Sequence, residues 1–207
     1  MLIIGLTGSI GMGKTTVANH LAASGVPVLD ADATVHRLYA GEAVPHIEAA
    51  FPGTAADGKV DRARLSAALM QAPDGFATLE ALVHPLVLRA QWRFLQEQAE
   101  AGSAMCVLDI PLLFETGGES LVDVTLVVSA PESAQTERVM ARPGMTTAKL
   151  ATILGRQLSD AGKRARADYV IDTGVTWGET QAQVDKLIES LKDRQGQAFE
   201  RWRARYS

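Results

Sequence analysis

The sequence predicts an α/β fold on a five-stranded parallel sheet flanked by helices, and three observations carry that expectation. Five short apolar runs, at 2–6, 27–29, 105–110, 124–128 and 169–171, each run into Gly, Asp or turn-forming residues. None alternates polar with apolar positions, the pattern of strands covered on both faces. Helical periodicity fills the stretches between them, and strands alternating with helices call for a parallel sheet.

Taken in order, the first helix shows Val17, Leu21 and Ser24 on one face. Between residues 31 and 102 there is much helical pattern and no central strand, so this segment reads as a helical insertion at the sheet edge. Within it Asp57-Gly58 is a turn signal, because both residues tolerate positive φ. His84-Pro85 lies between two helical patterns, where proline would break or restart a helix. A later helix carries Leu88, Trp92, Leu95 and Ala99 at spacings of four, three and four. Pro131 suits the first residue of a helix after the fourth strand. Thr176 with Glu179 forms a capping box that starts the last long helix. The expected organisation is a core of 1–30, 103–141 and 167–207, a helical domain of 31–102, and a separate non-sheet segment of 142–166.

Composition narrows the class. The chain has 207 residues, 47% hydrophobic and 21% charged, with a formal net charge of −4. That length buries a core without staples, and the apolar fraction excludes intrinsic disorder. One cysteine, Cys106, excludes an internal disulfide framework and fits a reducing compartment such as the cytoplasm. No apolar run is long enough to span a bilayer. The opening run has no basic residue before it and leads into a Gly-rich stretch, so it reads as a strand rather than an export signal. A mildly acidic average does not suggest a nucleic-acid binder. The basic and aromatic tail, Arg201 to Arg205, reads as a solvated helix end.

Gly8-Ser9-Ile10-Gly11-Met12-Gly13-Lys14-Thr15 matches G-x-x-x-x-G-K-[ST] in full, between an expected strand and an expected helix. Glycines let backbone N–H groups turn toward phosphate oxygens, and the helix adds the positive end of its dipole. The expected ligand is ATP with Mg²⁺, held by Gly8, Gly11, Met12, Gly13, Lys14, Thr15 and Thr16. Lys14 would reach the β and γ phosphates, and the Thr15 hydroxyl would ligate the metal. A guanine-reading Asn-Lys-x-Asp motif is absent, since the only asparagine is Asn19. Asp109, at the end of the third run, fits either a Mg²⁺ ligand, direct or through water, or an N-cap or loop carboxylate.

Two further groups carry chemistry. Asp30 and Asp32 follow the second run. In sheets of this type ligands gather at the carboxyl ends of strands, so Asp32 is a candidate base for an acceptor hydroxyl, or else caps the next helix. Between residues 138 and 166 stand Arg138, Arg142, Lys149, Arg156, Lys163, Arg164 and Arg166 against one acid, Asp160. That net +6 within a chain of −4 leaves −10 elsewhere. Such a segment fits either a mobile lid that closes guanidiniums onto a phosphoryl group or a solvated helical face. Arg138 and Arg142, four apart on one expected helix, share a face. These residues also fit a kinase for another hydroxylated acceptor, or a protein that uses ATP to switch partners.

The chain resembles the dephospho-CoA kinase family along nearly its whole length. The matching pieces are the phosphate loop continued by Thr16-Val17-Ala18, Val28-Leu29-Asp30-Ala31-Asp32, and Gly58-Lys59-Val60-Asp61-Arg62 with Leu65. They continue through Leu82-Val83-His84-Pro85-Leu86, Asp109-Ile110-Pro111-Leu112-Leu113-Phe114-Glu115, Arg138 with Arg142, Gln157, Lys163, and Ala167-Asp168-Tyr169-Val170-Ile171. The resemblance implies a P-loop kinase fold with a helical substrate-side domain and a lid at 142–166. The implied reaction moves the γ-phosphate of ATP to the ribose 3′-hydroxyl of dephospho-CoA, the last step of coenzyme A synthesis. It favours Asp32 as base, with Lys14, Arg138 and Arg142 also catalytic, and makes Asp32, His84 and Glu115 substrate-site residues. The implied partners are the two small molecules, with neither nucleic acid nor membrane, for a chain that is a monomer or weak homo-oligomer. One departure touches the adenine side: Asp172-Thr173-Gly174 stands where the family often has Asn before Gly.

Overall fold

Hydrophobic burial orders the sheet. Strand β1 (Leu2–Thr7) is buried at all six positions and β6 (Val124–Ser129) likewise, while β5 (Met105–Asp109) is buried throughout its five. With β2 (Val28–Asp30) and β7 (Tyr169–Asp172) they form a five-stranded sheet of order β2-β5-β1-β6-β7. Parallel pairing joins β1 to β5 and β6, and β6 to β7. The five expected strands are all present, with one correction. Full coverage on both faces holds for the three inner strands only. The outer two are half-buried, and Val170 and Asp172 on β7 are exposed, because an edge strand has a neighbour on one side alone.

The structure is a computed structural model that describes residues 1–206, and it divides into two compact units. The first comprises Met1–Leu29 and Glu97–Ser207, the second Asp30–Gln96. In the first, α1 (Lys14–Ala23) and α9 (Trp177–Leu191) lay Val17, Leu21, Val184, Leu187 and Leu191 against the sheet. Thr176 and Glu179 form the expected reciprocal cap of α9. Cys106 lies in β5 with no exposure, and burial pushes its thiol up to about 12, so it is no nucleophile.

The second unit has a core of its own, with Leu38, Ile47, Phe51, Leu65, Leu69, Val83 and Leu86 packed together. Its helices are α2 (Ala31–Leu38), α3 (Val44–Ala50), α4 (Arg62–Gln71) and most of α5 (Gly75–Glu100). The hairpin of β3 (Ala55–Ala56) and β4 (Lys59–Val60) turns at Asp57 and Gly58, with φ of 51° and 73°. Both lie in the left-handed region, as that dipeptide predicts. The expected break at Pro85 does not occur: α5 runs through it. Proline removes one N–H and frees the carbonyl of Ala81 four residues earlier; both residues are exposed, so water satisfies what the helix does not.

The basic tail is also more than a solvated end. In α10 (Ala198–Tyr206) the Trp202 ring is fully buried and its indole N–H donates to the Leu121 carbonyl at 2.8 Å. Arg201 donates to the carbonyls of Ser120 and Val122. Asp123 accepts the backbone N–H groups of Gln197 and Ala198 on one oxygen and that of Ile3 on the other, tying the start of α10 to β1. Replacing Trp202 by Ala removes a buried ring and orphans a carbonyl. It should lower unfolding free energy by about 3–5 kcal/mol, read from urea denaturation of the purified protein.

Candidate active site in the phosphate loop

The loop that joins β1 to α1 is shaped by two glycines. Gly11 and Gly13 have φ of 79° and 85°, a region closed to most side chains. Space closes them as well: a Cβ on Gly11 would lie 2.9 Å from the Gln135 carbonyl oxygen, and one on Gly13 would lie 3.0 Å from Thr173 Oγ1. Gly13 precedes the first turn of α1, so Lys14 and Thr15 present their N–H groups at the helix N-terminus, while the Thr16 N–H turns back to the Gly13 carbonyl at 3.0 Å. Thr15 and Thr16 are exposed there.

Lys14 Nζ donates to Asp109 Oδ1 at the end of β5, and the carboxylate is 2% exposed. The structure thus gives Asp109 an ion-pair partner that the sequence reading did not name. As an oxygen donor close to the loop it still fits a Mg²⁺ ion, and so does the Thr15 hydroxyl, both being hard ligands. Among the described residues no three His, Cys, Asp or Glu side chains cluster as a metal cage. A bound Mg²⁺ would therefore draw its other ligands from phosphate oxygens and water.

Arg138 lies near the end of α6 (Glu132–Met140), and its guanidinium is tethered to the loop. Nη2 donates to the Thr173 carbonyl at 2.7 Å, while Nη1 reaches Thr173 Oγ1 at 3.1 Å and the Gly11 carbonyl at 3.4 Å. Arg142 does not share its helix face as expected. The helix ends at Met140, and Arg142 stands in the turn after the cap residue Ala141, exposed. Pro143 and Gly144 follow at once, and neither continues a helix.

The basic segment is not a uniform row of free cations. It contains α7 (Thr147–Leu154) and α8 (Asp160–Arg166), and its second half is bound to the core. Lys163 is fully buried and donates to Glu115 at 2.8 Å and to the Pro111 carbonyl at 3.2 Å. Glu115 also accepts the Leu158 N–H at 2.7 Å. Arg166 pairs with Glu119 and lies 4.6 Å over the Phe114 ring. Gln157 accepts the Ile10 N–H at 3.2 Å, which joins this segment directly to the phosphate loop. A cavity of about 430 Å³ beside the loop is lined by Ser9, Met12, Glu132, Gln135, Gln157 and Asp160. Ser9 Oγ and Asp160 Oδ1 are buried and have no hydrogen-bond partner among the described residues.

Asp30, Asp32 and His84 belong to the second unit. The cap of α2 is Asp30, which accepts the Ala33 N–H at 2.9 Å. Asp32 is therefore not the cap; it stands exposed in the first turn. His84 is exposed on α5. Sequence reasoning passed over Gln135 and treated Thr173 only as a departure from a pattern. The spacing of Gln135 to Arg138, three apart on one helix, was a usable signal.

Burial pulls Glu115 toward its neutral form, but the Lys163 ammonium and the Leu158 N–H outweigh it and hold the carboxyl below its usual range. A carboxylate with a lowered folded-state pKa stabilises the fold above the ordinary value of about 4.3 and loses that contribution as pH falls through the folded value. Glu115→Gln leaves the Lys163 charge buried without its partner. At pH 7 it should cost about 3 kcal/mol, the low end for a buried pair because water reaches the carboxylate's rim. Urea denaturation across a pH series should show the gap between wild type and variant closing below about pH 4.

The family model for dephospho-CoA kinase matches residues 2–177. A dephospho-CoA kinase of Rhizobium etli is 55% identical over 194 residues, covering 94% of this chain and 96% of that protein. One from Mesorhizobium japonicum is 52% identical over 196 residues, covering 95% of this chain and all of its own length. Among solved structures, a Thermus thermophilus protein superimposes with a TM-score of 0.80 at 34% identity, over 91% of this chain and 96% of that one. The dephospho-CoA kinase of Campylobacter jejuni gives a TM-score of 0.70 at 22% identity, over 92% of this chain and 96% of that one, a likeness of fold. The phosphate loop, the five-stranded sheet and these matches together place the chain in the dephospho-CoA kinase family.

Proposed function

We propose that the protein transfers the γ-phosphoryl group of ATP to the ribose 3′-hydroxyl of dephospho-CoA, giving CoA and ADP. The observation that carries this reading is a complete phosphate loop, with Lys14 at its end, in a chain that matches the family model over residues 2–177. In the reaction the acceptor oxygen forms a bond to the γ-phosphorus while the bond to the β,γ-bridging oxygen breaks. The hydroxyl proton passes to the Asp32 carboxylate, and His84 and Glu115 belong to the acceptor side. Lys14 leaves Asp109 for the β and γ phosphates, a displacement that the exchange of one anion for another permits. Arg142 would reach the phosphates as its turn closes, and Arg138 would do so on leaving the Gly11 and Thr173 carbonyls that hold it, so that a guanidinium spreads positive charge over the equatorial oxygens. Mg²⁺ bound at Thr15 and Asp109 would neutralise charge on the β and γ oxygens.

The segment 142–166 acts as the lid. Its bound half, 157–166, is the anchored side, and the turn carrying Arg142 is the side that closes. Among the described residues no helix is long and apolar enough to cross a membrane, and the reading is of a monomer or weak homo-oligomer in the cytoplasm.

Purified protein incubated with MgATP and a panel of acceptors tests the proposal. ADP release should depend on dephospho-CoA. Release that depends on AMP or gluconate instead would overturn it, and ATP binding without any acceptor-stimulated turnover would indicate a nucleotide switch. Asp32→Asn should lower turnover by about 10²–10⁴-fold, the range for a positioned base. An unchanged turnover would leave Asp32 only its place near the helix dipole. Arg142→Ala should lower turnover more than ATP affinity.

A further inference from the structure

Three consecutive carbonyls of the phosphate loop each accept a hydrogen bond from a side chain outside the loop. Ile10 C=O accepts from Gln135 Nε2 at 2.8 Å, Gly11 C=O from Arg138 Nη1 at 3.4 Å, and Met12 C=O from Thr173 Oγ1 at 2.7 Å. The donors come from two places, one face of α6 and the residue after β7. They are linked as well, since Arg138 donates to both the hydroxyl and the carbonyl of Thr173. The Thr173 N–H is fixed to the Ser129 carbonyl at the end of β6, at 2.8 Å. Gln135 and Thr173 are 5% and 6% exposed, so both donors are largely withdrawn from solvent.

In a planar trans peptide the C=O and the following N–H point in opposite directions. Holding the carbonyls of Ile10, Gly11 and Met12 outward therefore turns the following N–H groups to the other side, where that of Met12 closes a turn onto the Ser9 carbonyl at 3.2 Å and those of Gly11 and Gly13 are left for phosphate. That is the arrangement a phosphate-binding nest requires. We propose that Gln135 and Thr173 are positioning residues for ATP, which hold the carbonyl side of the loop so that its N–H groups face the phosphates before nucleotide arrives. This inference rests on the reading that the loop binds ATP. Without these donors a buried carbonyl is left unpaired, the loop spends more time in other conformations, and apparent affinity falls by the fraction that remains competent.

The test measures dissociation constants for ATP and for inorganic tripolyphosphate, by calorimetry, in wild type, Thr173→Val, Thr173→Ser and Gln135→Met, together with steady-state kinetics and melting temperature. Val keeps the shape of Thr without its hydroxyl, and Ser keeps the hydroxyl. Thr173→Val and Gln135→Met should each weaken both ligands by about tenfold, the loss expected for one unpaired buried carbonyl. The KM for ATP should rise in step, with kcat and the KM for dephospho-CoA near wild type, and Thr173→Ser should recover most of the affinity. Unchanged affinity in both Thr173→Val and Gln135→Met would overturn the proposal. So would a loss confined to ATP, which would mean contact with the nucleoside, or a fall in melting temperature that Ser does not rescue and affinity does not follow. Wild-type protein that bound neither ligand would overturn the functional reading itself.

Discussion

A phosphate loop works only if its peptide dipoles are held against their own preference. Several N–H groups converging on one point leave their carbonyls diverging on the other side, and each carbonyl then needs a donor or water. In this chain the carbonyl side of the loop is packed against α6 and against the segment after β7, and protein groups serve there. Gln135, Arg138 and Thr173 provide them. The same close approach explains why a side chain at Gly11 or Gly13 would collide with α6 or with Thr173. Sheet, helix and loop are thus coupled through the few atoms on the far side of the nest.

A second constraint keeps the basic segment in place. Lys163 carries a long flexible stem and a charge, and both are buried. Such a group is tolerated only when its hydrogens are engaged, and Glu115 and the Pro111 carbonyl engage them. The pair joins α8 to the residues that follow β5, while Gln157 joins the same segment to Ile10. A motion of residues 142–166 as one rigid flap would have to break a buried ion pair. The exposed turn at Arg142 carries no such tie and can move at lower cost.

Much of the first unit was legible in the sequence because its signals are local. Apolar runs without alternation marked the strands, and Thr176 with Glu179 marked the start of α9. The glycine spacing with Lys14 and Thr15 marked the phosphate loop. Where local signals misled, the cause was a neighbour. Pro85 lies on a face where water replaces the lost hydrogen bond, so the helix survives it. Arg142 fits a helical spacing with Arg138, but Pro143 and Gly144 end the helix first. The tail looked solvated by composition, yet Trp202 found a buried site and Asp123 capped its helix.

By itself the sequence determined the order of the elements, the kind of sheet, the position of the phosphate loop and the residue types available for phosphoryl transfer. These follow from short-range chemistry: the pattern of burial along a strand, the freedom of glycine, the reach of a lysine at a helix start. Tertiary structure alone decided which carbonyl each donor takes. Thr173 is 161 residues from the Met12 carbonyl that it holds, and Gln135 is 125 from Ile10. No spacing rule spans such separations. The sheet register and the packing of α6 against the loop set those pairings, because hydrogen bonds form only where the fold has already brought donor and acceptor within about 3 Å.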